Sequence, residues 1–260
     1  MSVAAVVVHW NSRDDLPGCL GALGDLPGLT TVVVDNASPD GGEDLVRREF
    51  PHVRWIPMGR NAGFGAAVNA GARATRTDWI LALNPDTTLS GDTALRMAAE
   101  AEALGADALG PRILDPEGST ERSYSTRDSL LGDFLWMLAW RAGRAARPAR
   151  APREAAWLTG ACLLLGRAAF ERAGGFDESY FLYFEDADLC RRLRMRGGRV
   201  LYHPGFTAVH RRGASPDTEG ARERAYRSSQ IRFASRHRTP LARRIVECNV
   251  ALRAWLGGRK

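Results

Sequence analysis

The stretch DWILALNPDTTL, residues 78–89, joins a buried strand to an abrupt polar turn. Its first half is nearly continuous apolar sequence, and Pro85 then lacks the backbone N–H that a central strand needs. The strand therefore ends here and leaves Asp86 at its carboxyl end. A core strand that carries a single carboxylate at its tip predicts a ligand-binding edge of a sheet.

Three similar apolar strands are predicted before this one, each followed by a turn and a helix. The strands are expected at 3–10, 30–35 and 53–58, and the helices at 16–26, 42–50 and 63–75. Apolar strands that alternate with helices predict an α/β fold, with a mostly parallel, Rossmann-like sheet flanked by helices. Such sheets bind ligands at the carboxyl ends of their strands. The polar clusters expected at that edge are Asn11, Asp35–Asn36, Arg60–Asn61 and Asn84–Asp86.

The pattern after residue 90 is looser and predicts a second half of the same domain. Helices are expected at 91–104, 167–173 and 184–198, and strands within 106–115, at 157–166 and at 199–204. Residues 128–153 hold an apolar patch and an arginine-rich run, which indicates an excursion that contacts lipid or packs on its own aromatics. We expect a domain at 1–215, with a nucleotide-binding half at 1–90 and an acceptor half at 91–215. Residues 216–260 form a basic, helical C-terminal extension.

Composition limits the classes of protein that fit. The chain has 260 residues, 45% of them hydrophobic, which is enough for one large domain with its own core. A net charge of +6 favours anionic partners such as nucleotides, sugar phosphates or an acidic membrane surface. The four cysteines are far apart and form no CxxC pair, which disfavours a zinc site or a disulfide framework. No stretch approaches the roughly 18 apolar residues of a membrane span. We expect a cytoplasmic protein and leave peripheral membrane association open.

The glycine-rich stretch GFGAAV, residues 63–68, superficially resembles a dinucleotide-binding fingerprint. Its third glycine is missing because Val68 stands there, and a Walker loop is absent from the sequence. A Rossmann dehydrogenase is therefore disfavoured. Small residues at this position instead predict a helix that packs close to the sheet and whose first turn faces an anion.

Several longer blocks carry a family resemblance. They are VVVHWNS, VVVDNASPDG, GRNAGFGAAVNAG, LALNPDTTL, LTGACLLLGRAAFERAGGFDESYFLYFEDADLCRRLRMRGGRVLYHP and VHRRGAS, in this order. The chain resembles the inverting family 2 glycosyltransferases of the GT-A fold, and most closely their bacterial rhamnosyltransferase-like branch. The resemblance covers about residues 3–215.

The resemblance implies a nucleotide-sugar donor that lies across the first strand tips. The implied donor-binding residues are Asn11, Asp35, Asn36, Arg60, Asn61 and Asn84. The family's Asp-x-Asp metal motif is matched by Asn84-Pro85-Asp86, so the first acid is missing. The resemblance then implies a divalent metal, Mn²⁺ or Mg²⁺, held by Asp86 and by His210 after the final strand.

The segment FLYFEDADL, residues 181–189, supplies the acid–base candidates. The resemblance implies that Asp186 is the general base, while Glu185 and Asp188 contact the acceptor. Acids at a helix start also stabilise the helix dipole without catalysing anything. The block around Trp157 and Gly160 is implied to border the donor sugar and the acceptor. We expect His203 to be structural, and His52 and His237 to be incidental.

These observations predict an inverting glycosyltransferase. It would move a sugar from dTDP-rhamnose or a UDP-sugar to a hydroxyl of a glycan, a lipid-linked acceptor or a small molecule. Two other classes stay open: a nucleotidyltransferase-like sugar-nucleotide enzyme, and a peripheral membrane-binding module. No nucleic-acid partner is expected, because the arginine run at 141–153 has few interleaved aromatic residues.

Overall fold

A computed structural model describes residues 1–126, 149–211 and 219–257. Most of the predicted excursion at 128–153, and both ends of the extension at 216–260, lie outside the described residues.

A nine-stranded sheet runs through the domain in the order β3-β2-β1-β4-β10-β6-β11-β5, with β8 paired to β11, and β7 and β9 form a separate pair. The strands are β1 Val3–His9, β2 Leu29–Asp35, β3 Arg54–Pro57, β4 Trp79–Leu83, β5 Thr87–Thr88, β6 Ala108–Leu114, β7 Tyr124–Ser125, β8 Arg153–Glu154, β9 Trp157–Leu158, β10 Cys162–Gly166 and β11 Val200–His210. The helices are α1 Leu16–Leu23, α2 Gly42–Glu49, α3 Phe64–Arg73, α4 Gly91–Ala103, α5 Arg167–Arg172, α6 Glu185–Met195, α7 Glu219–His237 and α8 Pro240–Gly257.

The first four strands are parallel to one another, as the apolar runs predict. β1 pairs with β2 on one side and with β4 on the other, and β2 pairs with β3. β10 then inserts antiparallel between β4 and β6, and β11 returns parallel to β6. The predicted α/β fold with a mostly parallel sheet is confirmed, and the carboxyl ends of β1, β2 and β4 share one edge.

The core covers both faces of the sheet, and β1 shows how the sequence divides between them. Val3, Ala5 and Val7 pack on one face with α1, α2 and α4. Val6 and Val8 pack on the other face with α3, α5 and α6. Successive side chains of a strand point to opposite faces, so a strand that is apolar at every position can be buried on both.

Two strand predictions were wrong in their bounds. The strand expected at 157–166 is divided into β9 and β10, because residues 159–161 leave the sheet. The strand expected at 199–204 continues to His210, although it contains Pro204. The pairing of β11 with β6 shifts its register between His203 and Thr207, so the proline lies in a bulge.

The C-terminal extension is helical, as predicted. Its helices α7 and α8 pack on each other through a small apolar cluster that includes Ala234, Val246 and Val250. Among the described residues, none of the helices is both long enough and apolar enough to cross a bilayer. The four cysteines are free thiols.

Candidate active site

The turn after β4 brings Asp86 against the end of β11. Thr87 and Thr88 form the short strand β5, which pairs antiparallel with His210 and Val209. Oδ1 of Asp86 consequently lies 3.2 Å from Nε2 of His210, and both side chains are largely buried. The two residues proposed as metal ligands from the sequence, which are 124 positions apart, are thus neighbours in the structure.

A second carboxylate, which the sequence did not predict, faces the other nitrogen of this imidazole. Oε2 of Glu121 lies 3.3 Å from Nδ1 of His210. Burial lowers the pKa of His210, but Asp86 and Glu121 raise it by more, so it lies above the ordinary histidine value. Glu121 lies outside every strand and helix, and no pattern in the sequence connects it with a histidine 89 residues away.

The tips of β1 and β2 form a cross-linked turn on the donor side. Asp35 accepts a hydrogen bond from the backbone N–H of Ser38, and Ser38 Oγ accepts one from the N–H of Asn11. Asn11 has a left-handed backbone (φ 46°), and its buried Oδ1 has no hydrogen-bond partner among the described residues. An unpaired buried acceptor is costly unless a ligand pairs with it, so Asn11 is well suited to receive a donor N–H or O–H.

The neighbouring polar residues differ in how available their side chains are. Both polar atoms of the Asn36 side chain make hydrogen bonds, because its Nδ2 donates to the carbonyl of Gly63 and its Oδ1 accepts from the N–H of Ala62. Asn61 accepts from the N–H of Gly63 at the start of α3, and Arg60 is exposed at the rim. Asn36 therefore connects two loops of the donor side.

His9 lies at the same edge of the sheet, where its side chain is buried. Its Nδ1 lies 2.9 Å from Oγ of Ser12, and its Nε2 lies 3.1 Å from Oδ1 of Asp40. The ring is fully buried, and a Cβ on Gly42 would lie 2.6 Å from Nε2. These contacts fix the loops after β1 and β2 relative to each other.

The segment between β9 and β10 connects the strand tips with the proposed base. The N–H of Gly160 donates to Oδ2 of Asp186 at 2.9 Å. The carbonyl of the following residue, Ala161, accepts a hydrogen bond from the N–H of Asn84 at 3.1 Å. Residues 159–161 leave the sheet for this reason, and they join Asp186 to the Asn84-Pro85-Asp86 turn.

Of the two acids at the start of α6, Glu185 is buried and Asp186 is half-buried, and both have raised pKa values. Burial raises the pKa of Asp186, and hydrogen bonds from the N–H groups of Gly160 and Ala187 offset part of this effect. Burial and the adjacent Asp186 carboxylate raise the pKa of Glu185 well above its usual range. Oε2 of Glu185 has no hydrogen-bond partner among the described residues. A carboxylate with a pKa raised towards neutrality is suited to exchange protons.

The chain enters α6 in a strained conformation. Tyr183 and Phe184 have φ values of 70° and 68°, in the left-handed region that non-glycine residues rarely adopt. Such residues cost about 1–3 kcal/mol each, so surrounding contacts must hold them in place. The strained residues lie directly before Glu185 and Asp186 in the chain.

Asp188 does not fit its expected contact with an acceptor. Its side chain is fully buried, where Oδ2 accepts from Nε of Arg192 and Oδ1 accepts from Nε2 of His237, both at 2.6 Å. Both oxygens are thus used inside the protein, and we assign Asp188 to the support of α6 instead. The expectation that His237 is incidental was wrong for the same reason.

Trp157 remains beside the site and is partly buried. The guanidinium of Arg122 lies 5.0 Å from the centre of its ring, so one face of the indole is covered by a cation.

Arg211 extends from the end of β11 to Asp15 near β1, with its Nη2 donating to Oδ1 at 2.7 Å. The loops from both halves of the domain are thereby connected across the site.

The chemistry of Asp86 and His210 fits a divalent cation. A carboxylate oxygen and an imidazole nitrogen suit Mn²⁺, and Glu121 can accept the other ring N–H, which orients the imidazole. Across the described ranges, no group of three or more His, Cys, Asp or Glu residues could hold a metal alone. Two protein ligands would therefore need the oxygens of a diphosphate or water to complete the coordination.

The sequence matches the family model described as glycosyl transferase family 2 over residues 4–174. It is 35% identical over 255 residues to an N-acetylglucosaminyl-diphospho-decaprenol L-rhamnosyltransferase of Mycobacterium tuberculosis H37Rv, covering 88% of this chain and 83% of that protein. It is 30% identical over 177 residues to rhamnosyltransferase WbbL of Escherichia coli K12, covering 64% and 65%.

Two solved structures show the same fold at low sequence identity. The mannosyltransferase PcManGT from Pyrobaculum calidifontis, solved with GDP-Man and Mn²⁺, has a TM-score of 0.62 at 20% identity, over 96% of this chain and 69% of that one. GalNAc-T7, solved with UDP, GalNAc and Mn²⁺, has a TM-score of 0.65 at 13% identity, over 90% and 48%. The predicted GT-A fold is confirmed, and the chain belongs to glycosyl transferase family 2 and is a glycosyltransferase.

Proposed function

We propose that the protein is an inverting rhamnosyltransferase-like enzyme that uses Asp186 as its general base. The donor is a nucleotide-diphosphate sugar, with dTDP-L-rhamnose the first candidate and UDP-sugars the second. The acceptor is a hydroxyl of a lipid-linked glycan of the kind named for the M. tuberculosis relative. Glycan and small-molecule acceptors are the alternatives, and peripheral membrane contact is part of the proposal for a lipid-linked acceptor.

The observation that carries this proposal is the connection through residues 160 and 161. The N–H of Gly160 donates to Asp186, and the carbonyl of Ala161 accepts from Asn84 in the turn that carries Asp86. A base for the acceptor and a group that stabilises the leaving diphosphate must lie close together, because bond formation and bond cleavage occur at one anomeric carbon. This link supports assigning both tasks to one site.

The proposed reaction is a single displacement. The acceptor oxygen attacks the anomeric carbon while its proton passes to a carboxylate oxygen of Asp186, and the bond to the diphosphate oxygen breaks with inversion. Burial supports the assignment, because it raises the pKa of Asp186 and makes the carboxylate a stronger base. The charge of Asp186 adds to burial in raising the pKa of the neighbouring Glu185, which favours uptake of a proton by the pair.

The donor is proposed to lie across the tips of β1, β2 and β4. Asn11 offers an unpaired acceptor, and Asp35, Arg60 and Asn61 surround the same edge, while Asn36 keeps the loops in place. Asp86 and His210 are the proposed ligands of Mn²⁺ or Mg²⁺. When bound, such a cation neutralises the charge that develops on the leaving diphosphate.

The test is sugar transfer by the wild-type chain and by Asp186→Asn. Purified enzyme is incubated with Mn²⁺, N-acetylglucosaminyl-diphospho-decaprenol and either dTDP-L-rhamnose or a UDP-sugar, and the glycolipid product is measured by mass spectrometry. We expect transfer from one donor, a loss of about 10²- to 10⁴-fold in kcat for Asp186→Asn, and unchanged donor affinity by calorimetry.

The matched control is Glu117→Gln, which removes an exposed carboxylate from the turn after β6. It should transfer at the wild-type rate. Full activity of Asp186→Asn would contradict the assignment of the base, and no product from any nucleotide sugar would contradict the proposed reaction.

A further inference from the structure

One face of helix α7 contacts the segment that carries the proposed base. Tyr226, Ser229, Phe233 and His237 are spaced three, four and four residues apart, so they lie along a single stripe of the helix. The sequence reading treated this helix as a basic extension. In the structure, every residue of the stripe contacts residues 182–188 directly or through a neighbouring ring.

The aromatic part of the stripe covers the strained entry to α6. The ring of Tyr226 lies 5.6 Å from that of Tyr183 and 5.2 Å from that of Phe184, measured between centroids. The ring of Phe233 lies 5.5 Å from that of Phe184. The two residues with left-handed backbones are therefore the ones whose side chains pack on α7.

The polar part of the stripe holds this segment on both sides of the base. Ser229 is buried, and its Oγ donates to the carbonyl of Leu182 at 2.8 Å, before the strained pair. His237 donates to Asp188 at 2.6 Å, after the base. Asp188 is in turn bound by Arg192 one helical turn later, so the contact from α7 is continued into α6. The segment is thus held at the backbone of Leu182 and at the side chain of Asp188.

The opposite side of the same segment packs against the donor side. The carbonyl of Phe181 accepts from the N–H of Phe64 at the start of α3, at 3.2 Å. A Cβ on Gly63 would lie 2.1 Å from that carbonyl oxygen, so the backbone around Gly63 is in close contact with the backbone of Phe181. Residues 181–184 consequently contact the start of α3 on one side and α7 on the other.

We propose that Tyr226, Ser229, Phe233 and His237 are positioning residues that hold the Tyr183–Phe184 backbone in its left-handed conformation and thereby aim the carboxylate of Asp186. The inference rests on the proposed role of Asp186 as the base. It makes α7 a part of the catalytic unit, although α7 lies outside the region matched by the family model. The four residues do not touch the reacting groups themselves.

The experiment compares Tyr226→Ala and Ser229→Ala with Ser228→Ala, a control at an exposed neighbour on the same helix. Hydrogen exchange of the amides at 182–188 is measured by mass spectrometry on the full chain. Turnover is measured with the donor and acceptor of the transfer assay above, and kcat is expressed per donor site counted by calorimetry.

Tyr226→Ala and Ser229→Ala should speed exchange at 182–188 and lower kcat about 10- to 100-fold, because a displacement of the base by roughly 1 Å costs this much. The KM for the donor should stay within about twofold, since the strand tips are untouched. Ser228→Ala should match the wild type in both measurements.

The positioning role is overturned if either alanine variant keeps its exchange rates and its kcat, or if only the KM changes. Ser229→Ala removes a single oxygen, so it tests the proposal even if Tyr226→Ala fails to fold. Asp186→Asn is measured beside them. An inactive Asp186→Asn with active α7 variants overturns the positioning role alone, whereas an active Asp186→Asn overturns the proposed base.

Discussion

Two groups of acidic residues lie at the site, and they differ in how their neighbours affect the charged form of the acid. Asp86 and Glu121 flank the imidazole of His210, and the pair of carboxylates raises the pKa of that ring. Glu185 and Asp186 lie side by side with backbone N–H groups on Asp186, and burial raises the pKa of both acids. Asp86 and Glu121 therefore favour a positive charge between them, and the raised pKa values of Glu185 and Asp186 favour the uptake of a proton.

The difference shows that the function of a carboxylate is determined by its neighbours, since Asp86 and Asp186 are chemically identical. A cationic or metal partner stabilises the charged form of an acid, while burial beside another acid destabilises it. Sites in which acids have such different surroundings are typical of reactions that need one charged group and one proton acceptor.

The largest expected effect in this comparison is the loss of the imidazole between the two carboxylates. His210→Ala should lower kcat about 10²- to 10³-fold and abolish activation by Mn²⁺, because only Asp86 would then hold the cation. The measurement is kcat against Mn²⁺ concentration after treatment with EDTA. His52→Ala is the control, since His52 is exposed and distant in sequence from both groups. An unchanged Mn²⁺ dependence in His210→Ala would show that Asp86 and His210 do not hold the metal together.

A smaller effect, on stability, is expected where a third acid supports α6. Asp188→Asn breaks a buried ion pair and should lower the free energy of unfolding by about 3 kcal/mol, as measured in urea. Asp92→Asn is the control, because Asp92 and Arg96 form the same i,i+4 pair on an exposed helix face. The control should change stability by less than about 1 kcal/mol, and equal effects of both variants would contradict this account.

The same residue gives a pH dependence with a definite sign. Burial raises the pKa of Asp188, but His237 and Arg192 lower it by more, so its pKa lies below the ordinary value. Its contribution to stability is therefore complete above about pH 4 and is lost as the pH falls through the lowered pKa. In Asp188→Asn the acid limb of the stability curve should be correspondingly shallower.

The smallest expected effect is a steric one beside the base. In Gly160→Ala the new Cβ would lie 3.0 Å from Cε1 of Phe64 and 3.7 Å from Cβ of Asp186, so the ring must move by a few tenths of an ångström. We expect a loss of about tenfold or less in kcat, with the donor KM unchanged. Gly21→Ala on α1 has no neighbour within 4 Å of the new Cβ and should behave as the wild type. A large loss of donor affinity in Gly160→Ala would contradict the placement of Gly160 beside the base.

Much of the sheet and its polar edge could be predicted from the sequence, because the signals that predict them lie within short stretches of the chain. The strands β1, β2 and β4 are apolar runs that end at polar turns, and each signal lies within about ten residues. The proposal for Asp186 came from the family resemblance. The extent of β11 was missed because Pro204 usually ends a strand, and only pairing with β6 and β5 carries the chain past it.

The supporting contacts of the site could not be predicted, because they join distant parts of the chain. Glu121 is 89 residues from His210, and His237 is 49 residues from Asp188. Neither residue has a local pattern that identifies its partner. The acid at 188 was assigned to an acceptor by its position in the motif, whereas its burial against α7 depends on tertiary packing.

The most direct test of the contrast between the two groups is the titration of Glu185 and Asp186 themselves. Carboxyl ¹³C shifts are recorded against pH for the wild type, and the signals are assigned with Asp186→Asn and Glu185→Gln. The account predicts that the pair titrates with apparent pKa values above the ordinary range of about 4. Two carboxylates that both titrate at or below that range would contradict it, because neither would then be poised to accept a proton.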